Sequence, residues 1–409
     1  MSPSVTVVAM RRTKLSVLES VAANAQKFGI GNLRFLLLED PSLPPDPGDP
    51  ASPFAFAGYP FEIWSRRRQI EYVAQYSGLL ARHLGMDSPE RRAVGLLRAY
   101  ELGSEVTILL DQVEDLGPAD MLGPLTQCSS HYTGSALRAP AGWYPTTRLA
   151  QPERPAPYYP RGYPRPLRWQ ASEDFSQETV EALALAACVG GLGGLPDVDA
   201  FTRLDGGPNL AAVAIPATVF APGTWCPFGA NLVALRWESI PAFFLSPSLH
   251  AYAGVWASFL LCRLAQHVGH GILHTSNLAQ RSAQQPDVWH ELDRDRPGVK
   301  RSPELAEILR TLALPEAGYR AGVRDIALQL ERAWPQGSLR GPQAWSGYEV
   351  EWRLRFLDGL HGWVEALESL QAAAPARLQL ALAAHAQGSA QGVVQAVGNT
   401  NSVVSPKPA

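Results

Sequence analysis

The segment Tyr158-Tyr-Pro-Arg161-Gly-Tyr-Pro-Arg-Pro-Leu-Arg168, with Gly191-Leu-Gly-Gly-Leu-Pro-Asp197-Val-Asp199-Ala-Phe-Thr-Arg-Leu204 behind it, is the stretch on which the reading of this chain turns. Prolines fix φ and keep the residues before them out of helix, so the arginines project from a stiff, extended loop. A guanidinium engages two oxygens at once and therefore suits phosphate and carboxylate. Taken alone, such arginines serve either an anionic ligand or carboxylates on the protein surface.

Working outward, Val5-Thr-Val-Val-Ala and Leu33-Arg-Phe-Leu-Leu-Leu are two apolar, β-prone runs with a helical pattern from Leu15 to Phe28 between them, which predicts a β-α-β opening and a parallel sheet. The second run ends at Glu39-Asp40, and ligands of open α/β sheets sit at such carboxyl ends. Asp40 is thus a ligand candidate, and it is also a residue type that caps the turn before Pro41. Residues 41 to 60 are rich in Pro, Gly and Asp and read as a surface loop. Phe61-Glu-Ile-Trp leads into Arg66-Arg67-Arg68, either a solvated face or a cationic strand end. Helical patterns follow to Leu84 and from Pro89 to Leu102. Val106-Thr-Ile-Leu-Leu is a buried strand closed by Asp111.

Residues 123 to 157 lack a period and read as a long ordered loop, whose Trp143 and Tyr144 stack on a ligand or close a core edge. Asn209 to Ile215 reads as a strand, and Pro222 to Asn231 as a Gly-containing turn entering another. Helices are predicted from His250 to His267 and, as an appendage, from Pro303 to about His385, with breaks at Pro315, Pro335 and Pro375. The tail from Gln387 has no apolar face and reads as disordered. The expected organisation is an α/β domain over 1–300, a helical appendage over 301–386 and the tail over 387–409.

A hydrophobic fraction of 46%, a charged fraction of 18% and a net charge of −3 describe a globular protein with no basic field for nucleic acid. Cys128, Cys188, Cys226 and Cys262 are widely spaced, which argues against a zinc site or disulfide framework and fits free core thiols in a cytoplasmic protein. No membrane span is expected, because the most apolar helical stretch is interrupted by Arg263 and Gln266.

Arg161-Gly-Tyr-Pro-x-x-x-Arg168 followed by Gly-Leu-x-x-Leu-Pro-Asp-x-Asp-Ala-x-Thr-x-Leu resembles the reversibly glycosylated polypeptides and UDP-arabinopyranose mutases, glycosyltransferase family 75. The resemblance runs from about Val5 to Ser282. It implies a GT-A-like fold with a mixed, mostly parallel central sheet, a UDP-sugar as ligand, and Arg161 as the residue that receives sugar, with Arg168 as its partner. It further implies nucleotide-sugar contacts from Asp40, Arg66, Asp111, Asp197, Asp199, Gly229 and Asn231. Two departures stand out. The family's three aspartates become Asp111-Gln112-Val113-Glu114-Asp115, and its Asp-Asp pair before Met-Trp-Ala becomes Ala253-Gly254. Val113 cannot ligate a metal, and Arg281 or His274 stands, according to register, where the family has a metal-binding His. No cofactor is therefore expected to be required, and Mn²⁺ or Mg²⁺ would meet a degenerate ligand set. The resemblance implies self-glycosylation or UDP-sugar ring interconversion; the losses point alternatively to a non-enzymatic subunit in a homo- or hetero-oligomer with an active paralogue.

Overall fold

The computed structural model describes residues 2–10, 13–39, 54–85, 90–116, 119–149, 159–169, 175–193, 197–204, 216–249, 252–281, 287–315, 318–334 and 346–372. Asp40, the expected strand 209–215, the tail and the part of the expected helical region beyond Ala372 lie outside them.

The protein is α/β, built on a mixed sheet that has eleven strands among the described residues. β1 (Val5–Met10) has β2 (Leu33–Leu38) on one side and β5 (Val106–Leu110) on the other, both parallel to it. β3 (Phe54–Phe56) forms a hairpin with β4 (Tyr59–Trp64), which lies parallel to β2. The loop expected up to Pro60 is therefore strand from Phe54 onward, apart from the turn at Ala57-Gly58. Along β1, Val5, Val7 and Ala9 enter one core and Val8 and Met10 the other. Both faces are covered, which is why these strands are apolar without alternation.

Helix α1 (Leu15–Phe28) covers the first face through Val17, Leu18, Val21, Ala22 and Ala25, and ends on Gly29 in the left-handed region. α2 (Arg66–Ala74), α3 (Gly78–Gly85) and α4 (Arg92–Glu101) follow the parallel strands. An unbroken run of parallel neighbours is confined to β4-β2-β1-β5. Beyond it β6 (Val113–Leu116) pairs elsewhere, and β10 (Leu232–Arg236) lies antiparallel to both β5 and β8 (Ser176–Gly193).

β8 is eighteen residues long and, besides β10, takes two further partners in succession. Its first half pairs with β7 (His131–Arg138) and its second with β11 (Gly271–Arg281). β9 (Thr218–Phe220) pairs with both β7 and β11. The segment 123–157, expected to be loop, thus contains β7 as well as most of α5 (Leu122–Thr126). The polar, half-exposed sequence of β7 gives no buried-strand signal.

The second face is filled by α7 (Tyr252–Val268), buried along most of its length. Around it lie α8 (Val288–Thr311), α9 (Tyr319–Ala333) and α10 (Gly347–Ala372). α8 begins at Val288 and carries Pro297 and Pro303 inside it, so residue 300 falls within a helix and Pro303 does not start one. α10 packs on α3. Gly362 lies so close that a Cβ would meet the Leu80 backbone nitrogen at 2.7 Å, Ser77 Oγ donates to Glu365 at 2.5 Å, and Trp363 Nε1 donates to the Pro241 carbonyl at 2.9 Å. All four cysteines are buried and unbridged. Among the described residues no helix is long and apolar enough to cross a membrane.

The start of α10 is tied to α8 by Glu349, which accepts from the Ser346 backbone N–H at 2.8 Å and from Lys300 and Arg301. Burial pushes this carboxyl up, but those donors more than reverse the effect and hold it at about 2, below its ordinary 4.5. A depressed folded pKa contributes stability that is present above the ordinary value and lost as pH falls toward the folded one. Glu349→Gln is expected to flatten the fall in melting temperature between about pH 4.5 and 2. Parallel melting curves for the two proteins over that window would refute this role.

Candidate functional site

The two motif segments meet in space. Pro160 and Val198 form an antiparallel bridge, and the Arg161 backbone N–H donates to the Asp197 carbonyl at 3.1 Å. The turn is possible because Gly162 takes φ 85°. A Cβ at this glycine would sit 2.3 Å from Val255 of α7, so the loop rests directly on that helix.

This seating buries Arg161 and turns it toward carboxylates. Its Nε donates to Asp197 at 3.2 Å, one terminal nitrogen to Glu291 at 2.7 Å, and the other to Asp295. The guanidinium also lies over the Tyr252 ring, 5.6 Å from its centre. Burial alone would lower the guanidinium pKa; Asp197, Asp295 and Glu291 outweigh it and hold Arg161 charged, well above the ordinary range. Glu291 and Asp295 are four apart on α8 and share a helix face. That spacing was the available signal for them, but nothing local tied it to an arginine more than a hundred residues away.

Arg168 is bonded to Asp199, whose other oxygen accepts the Thr202 N–H at 2.9 Å, and it stacks over Tyr159 at 5.2 Å. Asp199 and Arg168 therefore brace the loop from within.

Beside Arg161 is a cavity of about 140 Å³. Arg161, Asp197, Gly229 and Asn231 all line it, together with residues of β8 and β11. Leu232, also in its wall, pairs with Leu110, so the cavity adjoins the carboxyl end of β5, where ligands of open sheets bind. A Cβ at Gly229 would meet Asp197 Oδ2 at 2.4 Å, so glycine makes room for that carboxylate.

Of the other expected residues only His274 is in the cavity lining. Asp111 is buried at the end of β5, 3.6 Å from Arg92, and its N–H donates to the Asn231 carbonyl at 2.7 Å. Arg92 is itself bonded to Glu90 and to the Ala230 carbonyl. The Arg66 backbone N–H at the start of α2 meets the Glu39 carboxylate at 2.8 Å. Arg67 is exposed and paired with Glu71, and Arg68 stacks on Trp64 at 4.6 Å. Asp115 is an exposed residue of β6 opposite Gln280, and the side chain of Arg281 lies outside the described residues. Trp143 and Tyr144 are core residues, packed on Trp225 and Phe259 and on Phe220 and Phe175. His274 sits in β11 and lines the cavity.

The absence of a side chain at Gly254, where the resembling motif has Asp, has a steric counterpart. A Cβ at Gly254 would lie 2.5 Å from the Ala230 backbone nitrogen, because the turn at Gly229-Ala230 is seated on α7. Among the described residues no group of three or more His, Cys, Asp or Glu side chains is arranged to hold a metal. Compared with known proteins, the chain matches no family model and no curated protein.

Proposed function

We propose that the protein binds a UDP-sugar in the cavity beside Arg161, on a GT-A-like fold. The observation that carries this reading is convergence: Arg161, Asp197, Gly229 and Asn231 come from three separate segments, were selected by motif likeness, and line one cavity at a strand's carboxyl end. Asn231 offers both donor and acceptor to sugar hydroxyls, and Asp197 accepts from them. The chemistry consistent with the motif is transfer of sugar to Arg161, or ring interconversion of the bound UDP-sugar.

A second reading has an observation in its favour. Attack by a guanidinium nitrogen requires loss of a proton, and three carboxylates stabilise Arg161 in its charged form. That favours a subunit that binds nucleotide-sugar, or only keeps its fold, in support of an active paralogue.

Calorimetry with UDP, UDP-glucose, UDP-galactose and UDP-arabinopyranose tests the binding step. Asn231→Ala should weaken UDP-sugar binding about five- to tenfold, the effect of one hydrogen bond. Wild-type protein that gives no heat with any of these up to millimolar concentration would remove the binding reading. Incubation with radiolabelled UDP-sugars then separates the two readings: an adduct on the Tyr159–Arg168 peptide supports transfer, and binding without adduct supports the non-catalytic role.

A further inference from the structure

One wall of the cavity belongs to neither motif segment. β11 sets His274 opposite Val189 on one side and Thr218 on the other. Its ring meets Phe220 edge-on at 5.2 Å and Phe228 at 5.9 Å, and the side chain is nine-tenths buried. Burial among these rings pulls its pKa down to about 3, so the imidazole is neutral throughout the physiological range. Its Nε2 has no hydrogen-bond partner among the described residues, although the ring lines the cavity. A buried polar nitrogen of this kind is costly unless a ligand atom satisfies it. Thr146, Thr147 and Thr275 line the same space, beside Phe228.

This combination selects for a particular part of a ligand. A neutral imidazole brings no charge to a diphosphate, and aromatic walls disfavour an anion. A sugar ring fits, because it presents an apolar C–H face and hydroxyls that both donate and accept. We infer that His274 is a specificity-determining residue, hydrogen-bonding a hydroxyl of the ligand's sugar ring while Phe228 packs against the ring's C–H face. The inference rests on the UDP-sugar reading of this cavity and assigns its β11 wall to the sugar.

The test compares UDP with UDP-glucose and UDP-galactose on the full chain. His274→Phe preserves an aromatic ring of similar size and removes both nitrogens. It should lower affinity for the preferred UDP-sugar about tenfold while leaving UDP within about twofold. His274→Gln, which retains a neutral donor and acceptor, should restore most of the loss. Melting temperatures of both variants verify that they fold. The inference is overturned if both variants bind like wild type, or if UDP and UDP-sugar affinities fall in parallel, the latter placing His274 at the base or in the framework. Wild-type protein that binds neither ligand would instead overturn the UDP-sugar reading itself.

Discussion

Arg161→Ala is expected to destabilise the protein by about 3–5 kcal/mol, the cost of removing one partner from a buried ion pair. The guanidinium is met by Asp197, Glu291 and Asp295 and is almost wholly buried, so the truncated variant leaves carboxylates facing one another across a cavity. Arg161→Lys should recover only part of the loss, because an ammonium cannot reproduce a planar fork reaching three acceptors. Urea unfolding of the three proteins measures this, and a loss below about 1 kcal/mol for the alanine variant, the range of a surface pair, would show that the cluster contributes little. The result also governs how labelling experiments are read. An adduct that disappears in Arg161→Ala reports on folding as much as on chemistry unless the variant's unfolding curve is known.

Gly254 gives the second large effect, and its sign is informative. By helix propensity, Gly→Ala within α7 should stabilise by about 1 kcal/mol. By contact it should do the reverse, since the new Cβ would lie 2.5 Å from the Ala230 nitrogen and 3.1 Å from the Gly229 carbonyl carbon. Overpacking against backbone costs about 1–3 kcal/mol, so Gly254→Ala should be destabilising. Gly254→Asp, which introduces the carboxylate found in the resembling motif, should cost more, because a charge is also buried. Thermal denaturation decides it. A stabilised alanine variant would mean that the 229–230 turn moves freely off α7.

How far this architecture could be read in the sequence depends on where each signal lies. β1, α1, β2 and β5 are legible because strands covered on both faces are uninterrupted apolar runs and α1 keeps a helical period. β8 was not. Its first half is exposed along an edge, and its second half is Ala-Ala-Cys-Val-Gly-Gly, too small and too poor in β-branched residues to read as a strand. The amino-terminal part of α8 was hidden by Pro297 and Pro303, which ordinarily mark helix ends. Within the site, Arg161, Asp197, Gly229 and Asn231 were accessible as motif positions. Glu291 and Asp295, the groups that determine what Arg161 can do, were not, because pairing across that separation in sequence is a product of the fold.

The seating of α10 on α3 bears on how the chain is made. Leu80 and Phe244 receive their cover from Gly362, Phe356, Gly359 and Trp363, residues synthesised last among the described elements. While the ribosome is still producing α9, the sheet and α7 have already been synthesised, yet Leu80 and Phe244 lack the cover that α10 gives them. Native closure therefore comes late and over a long loop, the circumstance in which nascent chains are most exposed to aggregation and to chaperones. Substitutions in α10, remote from the cavity, would then act on the yield of folded protein rather than on affinity for a ligand.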